Sequence, residues 1–530
     1  MQQHNITAES LEKSGAYRVE RTQFLPDINT TGYLLRHQKT GARLILLPCE
    51  DPNKVFYIGF RTPPKDSTGV AHIIEHTVLC GSRDFPVRDP FLEVVKGSMN
   101  TFLNAMTYPD KTVYPVASTN EKDFENLVHI YCDAVFHPNI YREKNIFRQE
   151  GWHLEALPHT PGGEDIDRDS EITVNGVVYN EMRGAMSSAD DVLNDKILAS
   201  LYPDTTYANV SGGDPAHIPD LTYEQYLDFH RAFYHPSNSY IFFYGDMDME
   251  ERLAWLDENY LGQYEARDAD SEISLQKPFA APVRARFPVA ILENENPAEK
   301  AVLSWNVSIP IENEKENLAF KVLDYTLCDA EGAPVKEAIR KKNIGASVSS
   351  LYESGIRQPY YSITAKFADE KDEDEFVRTI EQTLKDLVRD GIDKKALLAG
   401  INFYEFHYRE ADFGSFPKGI AFGLDILDDW LYSDDNAFLP LDDGKYFEEL
   451  KSLVGTGYFE NLIRKFLLEN PHRAVVTLSP EPGLASRQDA ALKEKMAQYR
   501  ASLSEDERAA IAQETIALKT WQQTPDTEEA

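Results

Sequence analysis

Runs of apolar residues punctuated by turn formers divide the first part of the chain into strands and helices. GYLLRH and ARLILLPC flank Gln38-Lys39-Thr40-Gly41 and predict a β-hairpin closed by a glycine-bearing turn. VFYIGFRT, residues 55–62, predicts a third strand. GVAHIIEHTVLCG, residues 69–81, changes to helical periodicity and stops at a glycine suited to a helix C-terminus. Asp89-Pro90 reads as an N-cap and first helical position. In DFENLVHIYCDAVFHP, residues Phe124, Leu127, Val128, Tyr131 and Val135 share one helical face that ends at Pro138. Thr222 and Gln225 have capping-box spacing ahead of a helix running toward Tyr234, and SYIFFYGDM from Ser239 predicts a buried strand. This order predicts an α+β sandwich, with helices packed on a mixed, largely antiparallel sheet.

Residues 262–285 turn polar and then rich in proline and alanine, and the pattern restarts after them. KAVLSWNVSI and YYSITAKFA predict strands; NLAFKVLDYTLCD and DEFVRTIEQTLKDLVRDG predict helices, the second closed by Gly391. This is a weak internal repeat. The division expected is a first α/β sandwich domain over 1–265, a linker over 266–285, a second homologous domain over 286–486 and the start of a helical hairpin over 487–530, with Ser504 and Glu507 as a capping box between its helices. The helix beginning at Asn317 carries no histidine, so the second copy is not expected to hold a metal.

A length of 530 residues requires several folding units. With 42% hydrophobic and 27% charged residues the chain is globular in type, and no stretch approaches 18 consecutive apolar residues. Lys and Arg total 54 against 88 Asp and Glu, and a formal charge of −34 argues against nucleic acid as a partner. The N-terminal segment lacks the apolar core of a secretory signal and contains Glu9 and Glu12, unlike a transit peptide, which gives a cytoplasmic expectation with no membrane association. Four widely spaced cysteines, Cys49, Cys80, Cys132 and Cys328, fit a reduced chain. Cys80 reads as a small buried thiol on the back of a helix.

The chemistry lies in the helix at 69–81. His72 and His76 are one turn apart and project from one face, with Glu75 beside them. Zinc in a hydrolytic site takes three protein ligands and leaves a position for water, and a neighbouring carboxylate collects the proton. Glu75 is the candidate base. With 13 histidines in the chain, His-x-x-Glu-His has about 0.03 expected chance occurrences. The competing reading, a solvated helical face, conflicts with Val70, Ala71, Ile73, Ile74, Val78 and Leu79, which make the helix apolar nearly all round. Glu181 in NGVVYNEMRGAMSS, 105 residues after His76, is the candidate third ligand, although a lone helical glutamate is more often a surface group.

HIIEHTVLCGS, RDPFLEV, FLNAMTYPDKTVYPV, QEGWHLE, NGVVYNEMRGAM, VSGGDPAHIPDLTYEQ and FYHPSNSYIFFYGD, in that order, resemble the presequence protease branch of the pitrilysin and insulysin metallopeptidases. The resemblance implies one Zn2+ per chain held by His72, His76 and Glu181, with Glu75 as general base. It implies a zinc metalloendopeptidase that degrades extended or unstructured peptides in a chamber between two clamshell halves, of which this chain matches the N-terminal one. It places FLNAMT on an edge strand that accepts the peptide, through Leu103, Asn104 and Ala105. A missing C-terminal half would supply an Arg and a Tyr, so the chain alone is expected to be weakly active. Many members carry an acid seven residues before the third ligand; this chain has Val174, so the metal's outer support must come from another group. The rival readings are a non-catalytic peptide-binding or assembly subunit and a half-sized peptidase acting as a dimer.

Overall fold

The computed structural model describes residues 6–88, 90, 96–160, 162–311 and 313–525. Asp89, expected as an N-cap, lies outside the described residues. The strands are β1 (Tyr17–Leu25), β2 (Thr30–His37), β3 (Arg43–Pro48), β4 (Lys54–Arg61), β5 (Asn100–Leu103), β6 (Met106–Thr107), β7 (Lys111–Ser118), β8 (His153–Ala156), β9 (Ile172–Asn175), β10 (Ser239–Gly245), β11 (Val283–Ile291), β12 (Ala301–Ser308), β13 (Ser347–Glu353), β14 (Tyr360–Ala368) and β15 (Arg473–Pro482). The helices that matter here are α1 (Val70–Val78), α2 (Glu121–Phe136), α3 (Lys144–Glu150), α4 (Val177–Ala185), α5 (Ala189–Leu201), α6 (Tyr223–Phe233), α7 (Glu314–Asp324), α8 (Glu373–Asp390), α9 (Lys394–Glu410), α10 (Lys418–Trp430), α11 (Leu484–Ser502) and α12 (Glu505–Gln523).

The first sheet has the order β1-β2-β3-β10-β4-β7-β5, with β6 also on β7; the second has the order β11-β15-β12-β14-β13. The repeat is written in these orders. β3, β4, β5, β7 and β10 match β11, β12, β13, β14 and β15 one for one along the chain. In both sheets the first of the five lies parallel to the last and every other pairing is antiparallel. The motif helix α1 follows β4 just as α7 follows β12, so α7 occupies the metal helix's place in the second copy with Asn317, Leu318 and Lys321 along it. The fold is therefore the expected pair of α+β sandwiches with largely antiparallel sheets.

Several elements differ from their sequence reading in extent. Helix α1 stops at Val78, and Gly81 (φ +97°) turns the chain beyond it. Helix α7 starts before Asn317 because Asn313 caps the Glu316 N–H, and its last turn widens to a π-helix over Tyr325–Asp329. β11 begins at Val283, inside the segment read as linker, and Ile273 within that segment is buried. The expected cap pairs Thr222/Gln225 and Ser504/Glu507 both close reciprocally.

One face of the first sheet packs on α1, α2 and α6. The other face, with Leu34, Ile45, Tyr57, Phe242 and Tyr244, is covered by α10, which lies between β14 and β15 in sequence. The exchange is mutual: α5, from between β9 and β10, supplies Leu193, Ile197, Leu198 and Leu201 to the back of the second sheet against Val302, Val476 and Leu478. Each sheet thus has two buried faces, which explains the nearly continuous burial along β4, β7, β10 and β12, where even Ser304 and Asn306 are buried.

Between α7 and α10, Glu314, Asp425, Asp429 and Asp443 crowd around Lys321. Burial, with Glu314's charge adding and Lys321's opposing, pushes Asp429 up to about 7 and Asp443 up to about 8. Asp443 Oδ1 has no hydrogen-bond partner among the described residues. A carboxyl whose folded pKa exceeds its unfolded value binds more protons when folded, so stability falls as pH rises from about 4 toward about 8. Asp443→Asn is accordingly expected to raise Tm more at pH 8 than at pH 5. Equal shifts at the two pH values would show that the buried charge is not the cost.

Candidate metal centre

Close glycine contacts assemble the site. Asp66 Oδ1 accepts from the Thr68 N–H at 2.9 Å, and Gly69 (φ +70°) then starts α1 so near to the 211–213 loop that a Cβ would lie 2.7 Å from the Gly212 carbonyl oxygen. That approach brings the same carbonyl to 3.0 Å from His72 Nδ1. One turn later His76 Nδ1 lies 3.2 Å from Glu150 Oε2, and Glu150 Oε1 accepts from Gln149 Nε2 at 2.8 Å. With both Nδ1 atoms facing acceptors, the proton sits on Nδ1 and the Nε2 lone pairs are free to coordinate.

The two rings stand 4.9 Å apart at 83°, and each Nε2 is 3.7 Å from Glu181 Oε2. Glu181 comes from α4, which begins at Gly176 against the Gly151 carbonyl, where a Cβ would overlap the backbone. The residue after Glu150 therefore seats the helix that carries Glu181. Ligand atoms of His72, His76 and Glu181 all fall within 4.8 Å of one another, the one such His/Cys/Asp/Glu group among the described residues. Donors about 2.0–2.1 Å from a tetrahedral ion are about 3.4 Å apart, so this nitrogen and carboxylate set fits zinc with little adjustment. The Glu181 side chain is 54% exposed, which leaves one side open to a substrate.

Burial disfavours protonation of His76, but the Glu150 hydrogen bond and the charges of Glu75, Glu150 and Glu181 outweigh it and hold its pKa above the ordinary value. The same carboxylates favour a cation in the proton's place. Glu75 is half-buried above a group of tyrosines: Tyr114 and Tyr234 share a 2.8 Å hydrogen bond, and burial, with Glu75's charge adding, pushes Tyr114, Tyr131 and Tyr234 well up so that they remain neutral.

Sequence reasoning missed Glu150 and the Gly212 carbonyl. Val174 is buried in the core, and Glu150 occupies the supporting role an acid there would have had. Cys80 is half-buried, donates to the His76 carbonyl at 3.4 Å and lies outside the cluster. Glu150→Gln is expected to lower zinc affinity about 10–100-fold, read by competition with a chromogenic chelator. Unchanged affinity would remove Glu150 from that role.

FLNAMT lies at the sheet's edge but not as one strand. β5 ends at Leu103 and β6 begins at Met106; between them Asn104 donates to the Pro115 carbonyl at 3.3 Å and its own carbonyl accepts from Tyr131 Oη at 3.1 Å. Asn104 is exposed, with Leu103 and Ala105 half-buried beside it. Among the described residues β5 has no strand on its outer side.

Two repeated α+β sandwiches with this His-His-Glu cluster on one copy define a metallopeptidase-type fold and site. The chain belongs to the M16 metallopeptidase family, which includes insulinase and pitrilysin: residues 55–155 match the insulinase (peptidase family M16) model, residues 220–403 the inactive domain of the same peptidases and residues 478–530 a segment associated with them. It is 45% identical to Clostridium perfringens protein HypA over 97% of this chain and 52% of that protein. It is 39% identical to Arabidopsis thaliana presequence protease 1, chloroplastic/mitochondrial, over 99% of this chain and 48% of that one. The chain thus spans about half the length of these curated relatives. Among solved structures, a Helicobacter pylori protease superposes with a TM-score of 0.62 at 14% identity, covering 85% of this chain and 100% of that one. Pitrilysin superposes at 0.57 and 15%, covering 91% of this chain and 50% of that one.

Proposed function

We propose that the chain is the catalytic part of a zinc-dependent metalloendopeptidase that hydrolyses extended, unstructured peptides. The observation that carries this reading is the convergence of His72 Nε2 and His76 Nε2 on Glu181 Oε2, with Glu75 on the same helix. Zinc held by these three side chains supplies Lewis acidity, which brings a water's pKa toward neutrality and polarises a carbonyl. Glu150 and the Gly212 carbonyl hold the two imidazoles in their coordinating tautomer. Glu75 takes the proton from the attacking water and returns it to the departing amine. The open edge of β5 and the exposed Asn104 offer backbone and amide groups to an extended peptide, so grip depends on main chain more than on side chains.

The relatives' greater length supports a further part of the reading, a second unit that closes the chamber; the family resemblance adds that this unit contributes an arginine and a tyrosine to the reacting peptide. The chain alone should then bind about one zinc, by the three-ligand logic of the site, but turn over slowly. Zinc content and cleavage of a fluorogenic peptide of about 20 residues test this. Expected are one equivalent of zinc and slow cleavage that a chelator abolishes and zinc restores. Cleavage that survives complete metal removal would overturn it, as would a folded chain that takes up no zinc.

A further inference from the structure

The register of the edge strand assigns a second role to aromatic residues far from the metal in sequence. Phe102 pairs with Ala117, and Leu103 with Val116. Ala117 belongs to the core beneath α10, whereas Val116 belongs to the core beneath α1. Successive side chains of β5 therefore point to opposite faces, Leu103 to the metal side and Phe102 away from it. A peptide added alongside β5 obeys the same alternation, because directly paired residues share a face. Every second side chain of such a peptide must lie on the Phe102 side.

An exposed aromatic ledge stands on that side. The loop joining α9 to α10 turns through Ala411 (φ +44°) and Gly414 (φ +63°), and the Phe416 N–H donates to the Phe413 carbonyl at 3.1 Å. The turn presents both rings. Phe416 meets Phe102 edge to face at 5.0 Å between centroids, and Phe413 stands edge-on to the buried Phe422 at 5.9 Å. Phe413 and Phe416 nevertheless remain exposed. Their anchoring is one-sided, and through Phe102 the Phe416 ring reaches the edge strand itself, with Phe413 on the same turn.

We propose that Phe102, Phe416 and Phe413 form a subsite for an aromatic or branched aliphatic side chain of the bound peptide, at a position whose side chain faces away from the metal. The proposal rests on the strand-addition reading above. The occupant is apolar because the ledge presents aromatic rings, while the carboxylate of Asp412 beside Phe413 is turned back to accept from the Gly414 N–H at 2.9 Å. It makes the protein favour peptides with an apolar residue at one of the positions whose side chains face away from the metal.

The test uses the full chain carrying Glu75→Gln, so that peptides are bound and not cut, and follows fluorescence anisotropy of a labelled extended peptide. Two peptides differ only in having Phe or Ser at the alternate positions, and a third carries N-methyl groups on the backbone of the Phe peptide. In the parent the Phe peptide should bind about 10-fold more tightly than the Ser peptide, and F413A/F416A should erase that difference while leaving the Ser peptide unchanged. Phe416→Leu, which keeps an apolar side chain, should restore part of the preference, and thermal melts check that each variant is folded. Equal losses for both peptides, or an undiminished preference in the double variant, overturn the subsite. Failure of the parent to bind any of the peptides, or indifference to N-methylation, overturns strand addition itself and the subsite with it.

Discussion

Glu75→Gln should lower peptide turnover roughly 1000-fold while leaving bound zinc close to one per chain, because general acid–base catalysis contributes on the order of 100- to 10,000-fold. The separation of the two effects follows from the geometry. His72 and His76 reach Glu181 directly, and their Nδ1 atoms are held by Gly212 and Glu150, so Glu75 adds its charge to the site but supplies neither a ligand atom nor a hydrogen bond to one. Glutamine keeps the size of the side chain above Tyr114 and Tyr234 but accepts no proton at neutral pH. Metal content by emission spectroscopy and rate on the same preparation decide the matter. Zinc lost together with activity would place Glu75 among the ligands, and activity retained would exclude it as the base.

Trp430→Ala should destabilise the chain by about 3–5 kcal/mol, the range for truncating a large buried aromatic. Trp430 is fully buried at the end of α10, stands edge-on to Tyr240 of β10 at 5.0 Å and donates from Nε1 to Asp434 at 3.0 Å. It belongs by sequence to the second copy and by packing to the first sheet. The loss should therefore appear in one transition that carries both sheets with it, seen by denaturant unfolding and by hydrogen exchange of β10 and β15 amides. A loss under 1 kcal/mol, or melting of the first sheet alone, would show that α10 is not a shared element.

How legible these features are depends on how local their cause is. The 69–81 helix, the hairpin before it and both capping boxes follow from spacing within a few residues, and His72, Glu75 and His76 stand on one helix whose own period fixes their geometry. Glu181 needs more, since one glutamate in a helix has no signature; only its motif context singles it out, and the structure then brings it to the two histidines. Glu150 lies in QEGWHLE, yet nothing in that motif tells that its carboxylate turns toward His76 across 74 residues of chain. A backbone carbonyl such as that of Gly212 leaves no residue type to read. The helices α5 and α10 are equally opaque. An amphipathic pattern reveals that a helix has an apolar face, not which sheet will receive it. The break in FLNAMT at Asn104 leaves no mark because apolar residues flank it on both sides and no glycine or proline announces it.

The exchanged helices also set the order of events during synthesis. β10 completes the first sheet at Gly245, but α10, which covers that sheet's back, begins at Lys418. At about 5–20 residues per second, the roughly 170 residues between them take about 10–35 s to emerge. Through that interval a nascent chain holding all the strands of the first sheet exposes Ile45, Tyr57 and Phe242 to other nascent chains and to chaperones. Shortening the stretch between β10 and α10, or slowing translation within it, acts on yield and not on the finished fold.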